Sequence, residues 1–192
     1  ESIINKLPKE LEVIFLTNSG TEAIEGALKL AKKSTGRKEF IAAKNSYHGS
    51  THGALSLLGV NKQKKGFEPL LPNINFIRFN NLNDLTKITT KTAAVVLETI
   101  QGGAGFVLPK NNYLKLVKTK CESVGALLIL DEIQPGFGRT GKLFGFEHFG
   151  ITPDIVVMGK GMGGGLPIGG FCSSRKLMEV LEKKPKLGHI ST

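Results

Sequence analysis

The chain has 192 residues, of which 40% are hydrophobic and 22% are charged, and its formal net charge is +10. This composition predicts one soluble globular domain with a real core and excludes a largely disordered chain. The longest apolar run, residues 124–130, is too short to cross a bilayer, and residues 1–5 lack the basic region of a signal peptide, so we expect a cytoplasmic protein without a membrane contact.

The positive charge could indicate nucleic-acid binding, but its distribution argues against it. The lysines are spread over helix-like segments, without interleaved aromatic residues and without a recognisable nucleic-acid motif. Cys121 and Cys172 lie far apart in the sequence, and neither CxxC nor HExxH occurs. We therefore expect two reduced thiols, no metal ion and no nucleic-acid partner.

Short apolar segments alternate with amphipathic ones along the whole chain. Such alternation predicts an α/β fold with a mostly parallel central sheet and helices on both faces. The loops that follow parallel strands gather at one edge of the sheet, where we expect the ligand site. Strands are predicted at 13–16, 39–43, 75–79, 93–97, 126–130 and 155–158, and helices at 1–8, from 22 to a stop at 34–36, at 82–88 and at 112–124.

The loop after the first predicted strand contains Ser19, Gly20 and Thr21, and it leads directly into a helix. A helix N-terminus offers unpaired backbone N–H groups and the positive end of the helix dipole, and the two hydroxyls add further donors. Phosphate is the natural ligand for such a turn. Simple N-capping by Ser19 or Thr21 explains the same residues equally well.

Two further strands end in polar residues. Tyr47 and His48 follow the second strand, and the tyrosine ring could cover a flat ligand, although a half-buried tyrosine beside an exposed histidine is the more ordinary interpretation. Glu98 and the loop up to Gln101 follow the fourth strand. Asp131 ends a fully apolar strand, and Gln134 lies three residues further on.

Lys160 follows the apolar run 155–158 and is surrounded by glycines. We expect the strand to bring this lysine to the edge of the core, where partial desolvation would lower its pKa and free the amine for Schiff-base chemistry. An ordinary strand-end lysine in a glycine turn is the alternative.

Two segments of the chain almost match nucleotide-binding motifs. Gly159, Gly161 and Gly164 fit the dinucleotide pattern G-x-G-x-x-G, but residues 163–170 contain a proline and cannot open the required helix. Residues 136–142 copy most of a P-loop, but Leu143 stands where a serine or threonine must reach magnesium.

The five loops together contain a reactive lysine, a carboxylate, a phosphate cradle and a stacking aromatic residue. These are the groups that a protein needs in order to hold pyridoxal 5′-phosphate (PLP). In that case Asp131 would keep the pyridine nitrogen protonated, and Gln134 could donate to the phenolic oxygen of the ring.

Four segments of the chain resemble the class III (ω-type) aminotransferases, which are PLP-dependent enzymes of fold type I and include acetylornithine, ornithine and 4-aminobutyrate aminotransferases. The segments are Ser19-Gly-Thr-Glu-Ala23, Tyr47-His-Gly49, Asp131-Glu-Ile-Gln-Pro-Gly-Phe-Gly-Arg-Thr-Gly141 and Gly159-Lys-Gly161.

The resemblance implies roles for these residues in a PLP site. Lys160 carries the cofactor and Asp131 contacts its pyridine nitrogen, and both are catalytic. The other cofactor-binding residues implied are Gly20 and Thr21 at the phosphate, Ser19 in the same turn, Tyr47 over the ring with His48 beside it, and Gln134 and Glu98 on the oxygen side of the ring.

The resemblance also implies that residues 1–192 are the PLP-binding large domain alone, without the N-terminal segment and the small C-terminal domain of the family. Thr192 matches a threonine that reaches the phosphate of a neighbouring subunit, which implies a homodimer with shared active sites. The implied reaction moves an amino group from an amine or ω-amino acid to a keto acid such as 2-oxoglutarate.

One residue departs from the ornithine and 4-aminobutyrate aminotransferases: Gly103 follows Gln101-Gly102 where those enzymes carry a glutamate. Aminomutases, racemases and a decarboxylase share the scaffold and remain alternatives. A non-enzymatic α/β module that binds nucleotides through its glycine loops is a more distant one.

Overall fold

A computed structural model of the chain describes residues 3–182, which contain seven strands in one sheet. The strand order is β1-β7-β6-β5-β4-β2-β3, and β7 alone runs antiparallel to both of its neighbours. The mostly parallel sheet predicted from the sequence is therefore confirmed. The strands are β1 (Val13–Thr17), β2 (Glu39–Ala43), β3 (Ile74–Ile77), β4 (Thr92–Glu98), β5 (Leu127–Asp131), β6 (Ile155–Met158) and β7 (Gly169–Ser173).

Four α-helices and several 3-10 helices connect these strands. The α-helices are α1 (Gly20–Thr35), α2 (His52–Ser56), α3 (Tyr113–Val124) and α4 (Arg175–Met178). The 3-10 helices are Ile3–Lys6, Asn61–Gln63, Leu82–Lys87, Gly145–Phe149, Lys160–Gly163 and Glu179–Leu181. Within residues 3–182 no helix is long and apolar enough to cross a membrane.

Helices cover both faces of the sheet, as the sequence predicts. Alternate residues of the central strands enter two separate hydrophobic clusters: Val95 and Leu97 of β4 pack with residues of α3, whereas Ala94 and Val96 pack with residues of α1. Every residue of β4 is buried. A strand that is buried on both sides reads as a continuous apolar run, which explains why the sequence shows no alternation here.

Local signals define α1 most clearly. The Oγ atom of Ser19 accepts a hydrogen bond from the N–H of Glu22, and Gly36 ends the helix in the left-handed conformation with φ of 68°. Glycine adopts that conformation without the steric cost that a side chain imposes. The N-capping interpretation of Ser19 is therefore correct, and it does not compete with anion binding, because the next two N–H groups point out of the helix end.

Strand β7 is absent from the sequence prediction, which treated residues 163–170 as a glycine loop. It begins with Gly169 and Gly170, which pair with Thr17 and Leu16 of β1. A Cβ atom on Gly169 would lie 2.5 Å from the carbonyl oxygen of Ser19, and one on Gly170 would lie 2.9 Å from that of Phe15. Close approach of two backbones requires these glycines, and glycine weakens the sequence signal of a strand.

Smaller differences concern helices. The segments predicted as helical at residues 1–8 and 82–88 are 3-10 helices at Ile3–Lys6 and Leu82–Lys87, and Glu1 lies outside the described residues. Leu82, Leu85 and Ile88 recur every three residues, which matches the three residues per turn of a 3-10 helix.

We predict that Gly169→Ala lowers the free energy of unfolding by about 1–3 kcal/mol, the usual cost of overpacking, because the added methyl group meets the backbone of Ser19. Gly103→Ala is the matched control, since its Cβ meets the nearest atoms at 3.5 Å, an ordinary contact distance. Urea denaturation of both variants measures the difference. Equal stability of the two variants would contradict the close approach described for β7.

Candidate active site

The loops that follow the parallel strands meet at one edge of the sheet and enclose a cavity of about 220 Å³. Most of the residues singled out in the sequence line it. The lining residues are Gly20, Thr21, Tyr47, His48, Gly49, Ser50, Glu98, Asp131, Ile133, Gln134, Pro135 and Lys160. Ser19 does not line the cavity but caps the helix at its border, and Thr192 lies outside the described residues.

A larger cleft of about 520 Å³ contains none of the residues predicted for the site. It surrounds Asp154, which precedes β6, so it lies at the opposite edge of the sheet. Lys118 and Asp154 form an ion pair there at 2.7 Å. The predicted site residues therefore lie in the cavity of about 220 Å³ and not in this cleft.

The N-terminus of α1 forms the anion-binding part of the cavity. None of the hydrogen bonds within residues 3–182 uses the backbone N–H of Gly20 or Thr21, as expected for the first residues of a helix. A Cβ atom on Gly20 would lie 2.6 Å from Cδ1 of Ile133, so a side chain at this position would fill the space beside the helix end. These two N–H groups and the helix dipole favour a bound anion.

Asp131 is the central acidic group of the cavity, and only 3% of its surface is exposed. Its Oδ2 atom lies 2.8 Å from Nδ1 of His48, and its Oδ1 atom accepts the N–H of Ile133 at 3.0 Å. Since a carboxylate only accepts hydrogen bonds, Nδ1 of His48 carries the hydrogen. Nε2 of His48 is buried and has no partner within the described chain.

Glu98 is a second buried carboxylate beside Asp131. Its Oε2 atom accepts the N–H of Tyr47 at 3.2 Å, and its Oε1 atom accepts the N–H of Gly102 at 3.0 Å. Burial raises the pKa of Glu98, and the nearby charge of Asp131 acts in the same direction, whereas His48 and the two hydrogen bonds oppose it. Glu98 thus holds the backbone of Tyr47 in place in addition to lining the cavity.

Tyr47 and Gln134 are exposed at the rim of the cavity, and 49% of the Tyr47 surface is accessible. A Cβ atom on Gly102 would lie 2.9 Å from Nε2 of Gln134, so this glycine leaves room for the glutamine side chain. An exposed tyrosine ring next to a cavity is available to cover a planar ligand.

Lys160 begins a 3-10 helix two residues after β6 and has a φ of 42°. Residues other than glycine rarely adopt this conformation. The glycines on both sides allow tight packing: a Cβ on Gly159 would lie 3.1 Å from Cα of Gly20, and one on Gly161 would lie 3.0 Å from Cβ of Phe137. The backbone of Lys160 is therefore fixed against two other loops of the site, which supports its left-handed conformation.

The expectation that Lys160 is partly desolvated is wrong for the described chain, because the residue is exposed. Strand β6 ends at Met158, and the glycines that follow have no side chains to cover the amine. The two nucleotide-binding motifs are also absent in three dimensions. The first motif contains the 3-10 helix Lys160–Gly163 and leads to strand β7, and residues 136–142 lead into the 3-10 helix Gly145–Phe149, so neither motif is followed by an α-helix.

Sequence reasoning missed the role of Glu132, which is fully buried on the strand end beside Asp131. Its carboxylate accepts hydrogen bonds from the hydroxyl of Thr99 at 2.6 Å and from the N–H groups of Gly145 and Phe146 at 2.7 and 2.9 Å. It thereby joins the loop after β4 to the segment that follows Gln134. The sequence shows a second acid directly after Asp131, but nothing in it identifies the distant partners of that acid, residues 99, 145 and 146.

The profile of the family described as Aminotransferase class-III matches residues 1–192. A [LysW]-aminoadipate semialdehyde/glutamate semialdehyde transaminase from Sulfolobus acidocaldarius is 50% identical over 161 residues, which are 84% of this chain and 42% of that protein. An acetylornithine aminotransferase from Clostridium acetobutylicum is 45% identical over 175 residues, which are 88% of this chain and 45% of that protein.

Solved structures with the same fold agree with this result. The ornithine aminotransferase from Toxoplasma gondii, crystallised with partial occupancy of PLP, has a TM-score of 0.87 and 32% identity over 94% of this chain and 45% of its own. The taurine:2-oxoglutarate aminotransferase from Bifidobacterium kashiwanohense, in complex with PLP and glutamate, has a TM-score of 0.89 and 27% identity over 97% of this chain and 48% of its own.

The fold is that of the large domain of class III aminotransferases. The chain belongs to the class III aminotransferase family. It spans about half the length of the curated relatives that it matches, between 42% and 48%.

We predict that the stability contributed by Glu132 falls as the pH rises. Burial raises the pKa of Glu132 to about 7, above its ordinary value of 4.5, although its three hydrogen bonds lower it. Between these two values the folded state binds more protons than the unfolded state, so the free energy of unfolding decreases with rising pH.

The measurement is the free energy of unfolding of the wild type minus that of Glu132→Gln, which cannot titrate, between about pH 5 and about pH 7.5. The difference should fall steadily across this range. A constant or rising difference would contradict the raised pKa.

Proposed function

We propose that this chain binds PLP in the cavity at the edge of its sheet, and that residues 1–192 are the cofactor-binding large domain of an aminotransferase. The enzyme moves an amino group from an amine or ω-amino acid donor to a keto acid such as 2-oxoglutarate. The observation that carries the proposal is that Lys160, buried Asp131 and the unpaired N–H groups of Gly20 and Thr21 line one cavity.

The chemistry of the lining residues fits each part of PLP. The N–H groups of Gly20 and Thr21 suit the phosphate, and the buried carboxylate of Asp131 suits a protonated pyridine nitrogen. Tyr47 offers a ring face. Glu98 and Gln134 supply polar groups for the phenolic oxygen.

PLP supplies an electron sink that stabilises negative charge on the carbon next to the donor nitrogen. Asp131 would hold a proton at the ring nitrogen, and His48 orients Asp131 by donating from Nδ1. With PLP in the cavity, Lys160 would hold the cofactor through Nζ, and as a free amine the same Nζ would serve as the base that moves the proton of the donor. General acid–base catalysis of this kind contributes typically ~10²- to 10⁴-fold.

The same proposal includes a homodimer with active sites shared between subunits. Lys160 and the glycines after it are exposed in the single chain, and Leu166 beside them is 67% exposed. A second subunit would cover this apolar side chain and exclude water from the cavity. Thr192 would contact the phosphate held by the neighbouring subunit.

The absence of a side chain at Gly103 limits which amino donors we propose for the enzyme. A Cβ atom at this position would lie 3.5 Å both from Cβ of Tyr47 and from the carbonyl oxygen of Asn45, so residue 103 lies beside Tyr47. Glycine brings no carboxylate to this place, unlike the glutamate expected in ornithine and 4-aminobutyrate aminotransferases. We therefore propose a donor other than these two amino acids.

We predict that Lys160→Ala in the intact protein loses covalent PLP attachment and lowers turnover by at least ~10²-fold, because alanine has no amine that could hold the aldehyde or move the proton. Borohydride treatment with PLP, followed by mass spectrometry of tryptic peptides, should locate the cofactor on Lys160 in the wild type. Lys44→Ala is the control, since Lys44 follows β2 at the same edge of the sheet. Attachment at a different lysine would refute the assignment.

Product analysis distinguishes transamination from other PLP reactions. With 2-oxoglutarate as acceptor, an aminotransferase converts the donor amine into a carbonyl compound and forms one glutamate for each donor consumed. Loss of carbon dioxide, or an isomer of the donor without glutamate, would contradict the proposal.

A further inference from the structure

Glu25 lies on α1 one turn after Thr21, on the same face of the helix. It is not a lining residue of the cavity. Its Oε1 atom nevertheless accepts three hydrogen bonds from the segment that follows Tyr47 and His48: from the hydroxyl of Thr51 at 2.6 Å, and from the N–H groups of Gly53 and Ala54 at 2.8 and 3.1 Å.

These bonds replace a missing helix cap. Thr51 occupies the N-cap position of α2 but makes no capping hydrogen bond with its side chain. The first N–H groups of a helix require an acceptor, and here Glu25 provides it from another helix. The short helix α2 therefore depends on α1 for its start.

The same carboxylate fixes the direction of a chain of hydroxyl groups. The hydroxyl oxygens of Thr21 and Thr51 are 2.9 Å apart, and either could donate in isolation. Thr51 has one hydroxyl hydrogen, and a carboxylate only accepts, so Thr51 donates to Glu25. Thr21 must then donate to Thr51, and its hydroxyl hydrogen points away from the cavity. What Thr21 offers to a bound anion is its backbone N–H.

Two glycines show how tightly this region is packed. A Cβ atom on Gly53 would collide with Oε2 of Glu25, and one on Gly49 would collide with Oγ1 of Thr21. Gly49 and Ser50 line the cavity together with Thr21. The N-terminus of α1 therefore packs closely against residues 49–53, and the hydrogen bonds of Glu25 connect the two segments.

We propose that Glu25 is a positioning residue for the phosphate end of the cofactor site: it acts through Thr51 on Thr21 and holds residues 51–54 against the N-terminus of α1. The proposal rests on the proposed function, since it assumes that PLP occupies the cavity. Asp131 ends β5 and Lys160 follows β6, and no hydrogen bond within residues 3–182 joins either of them to Glu25. Tyr47 and His48 are held separately, by Glu98 and Asp131, so loss of Glu25 should weaken binding of the phosphate group and leave binding of the ring and aldehyde unchanged.

The test compares PLP with pyridoxal, which lacks the phosphate, by titration of the intact protein freed of cofactor. Glu25→Met keeps the length of the side chain but removes the acceptor of all three hydrogen bonds, and we expect about tenfold weaker PLP binding or more, because residues 51–54 and Thr21 lose their anchor. Pyridoxal binding should change by less than about twofold. Glu25→Gln should retain PLP affinity, because Oε1 alone accepts all three hydrogen bonds.

A second pair of variants serves if Glu25→Met does not fold. Thr51→Val removes the bridging hydroxyl and should also weaken PLP but not pyridoxal, whereas Thr51→Ser restores the hydroxyl and the affinity.

Equal weakening of PLP and pyridoxal, or normal PLP binding in Glu25→Met, would overturn the positioning role. A wild type that binds PLP no more tightly than pyridoxal would instead refute the phosphate site of the proposed function.

Discussion

The site depends on one buried carboxylate at the end of the central strand of the sheet. Burial of a charge is costly unless partners compensate for the lost water. Asp131 has them: Nδ1 of His48 donates to one oxygen, and the N–H of Ile133 donates to the other. Because β5 is the middle strand of seven, Asp131 is fixed by the core of the domain, and the loops from the neighbouring strands are arranged around it.

Three other carboxylates stabilise the segments around Asp131, and each accepts two backbone N–H groups. Glu25 holds residues 53 and 54, Glu98 holds residues 47 and 102, and Glu132 holds residues 145 and 146. Bonds from N–H groups to a carboxylate are stronger than those between neutral groups. Loops with little secondary structure of their own thus acquire the fixed positions that a cofactor requires.

Six of the seven strands were predictable because runs of apolar residues along the sequence indicate them, and the position of the cavity follows from the order of the strands. Residues 39–43 and 155–158 are strands with the predicted bounds, and the rule that loops after parallel strands meet at one edge brought Asp131 and Lys160 to the same cavity. Strand β7 was missed because close backbone contacts require glycine at its start. The contacts of Glu132 and Glu25 join residues far apart in sequence, and a single sequence carries no signal for such pairs. The exposure of Lys160 depends on what covers the glycines after it, which local patterning does not determine.

The most direct test of the central role of Asp131 is the protonation of the cofactor's ring nitrogen, read from the ¹⁵N chemical shift of labelled PLP bound to the intact protein. The account predicts a protonated nitrogen in the wild type at neutral and mildly alkaline pH, and a nitrogen that loses its proton in Asp131→Asn. An unprotonated ring nitrogen in the wild type, or the same shift in both proteins, would contradict it.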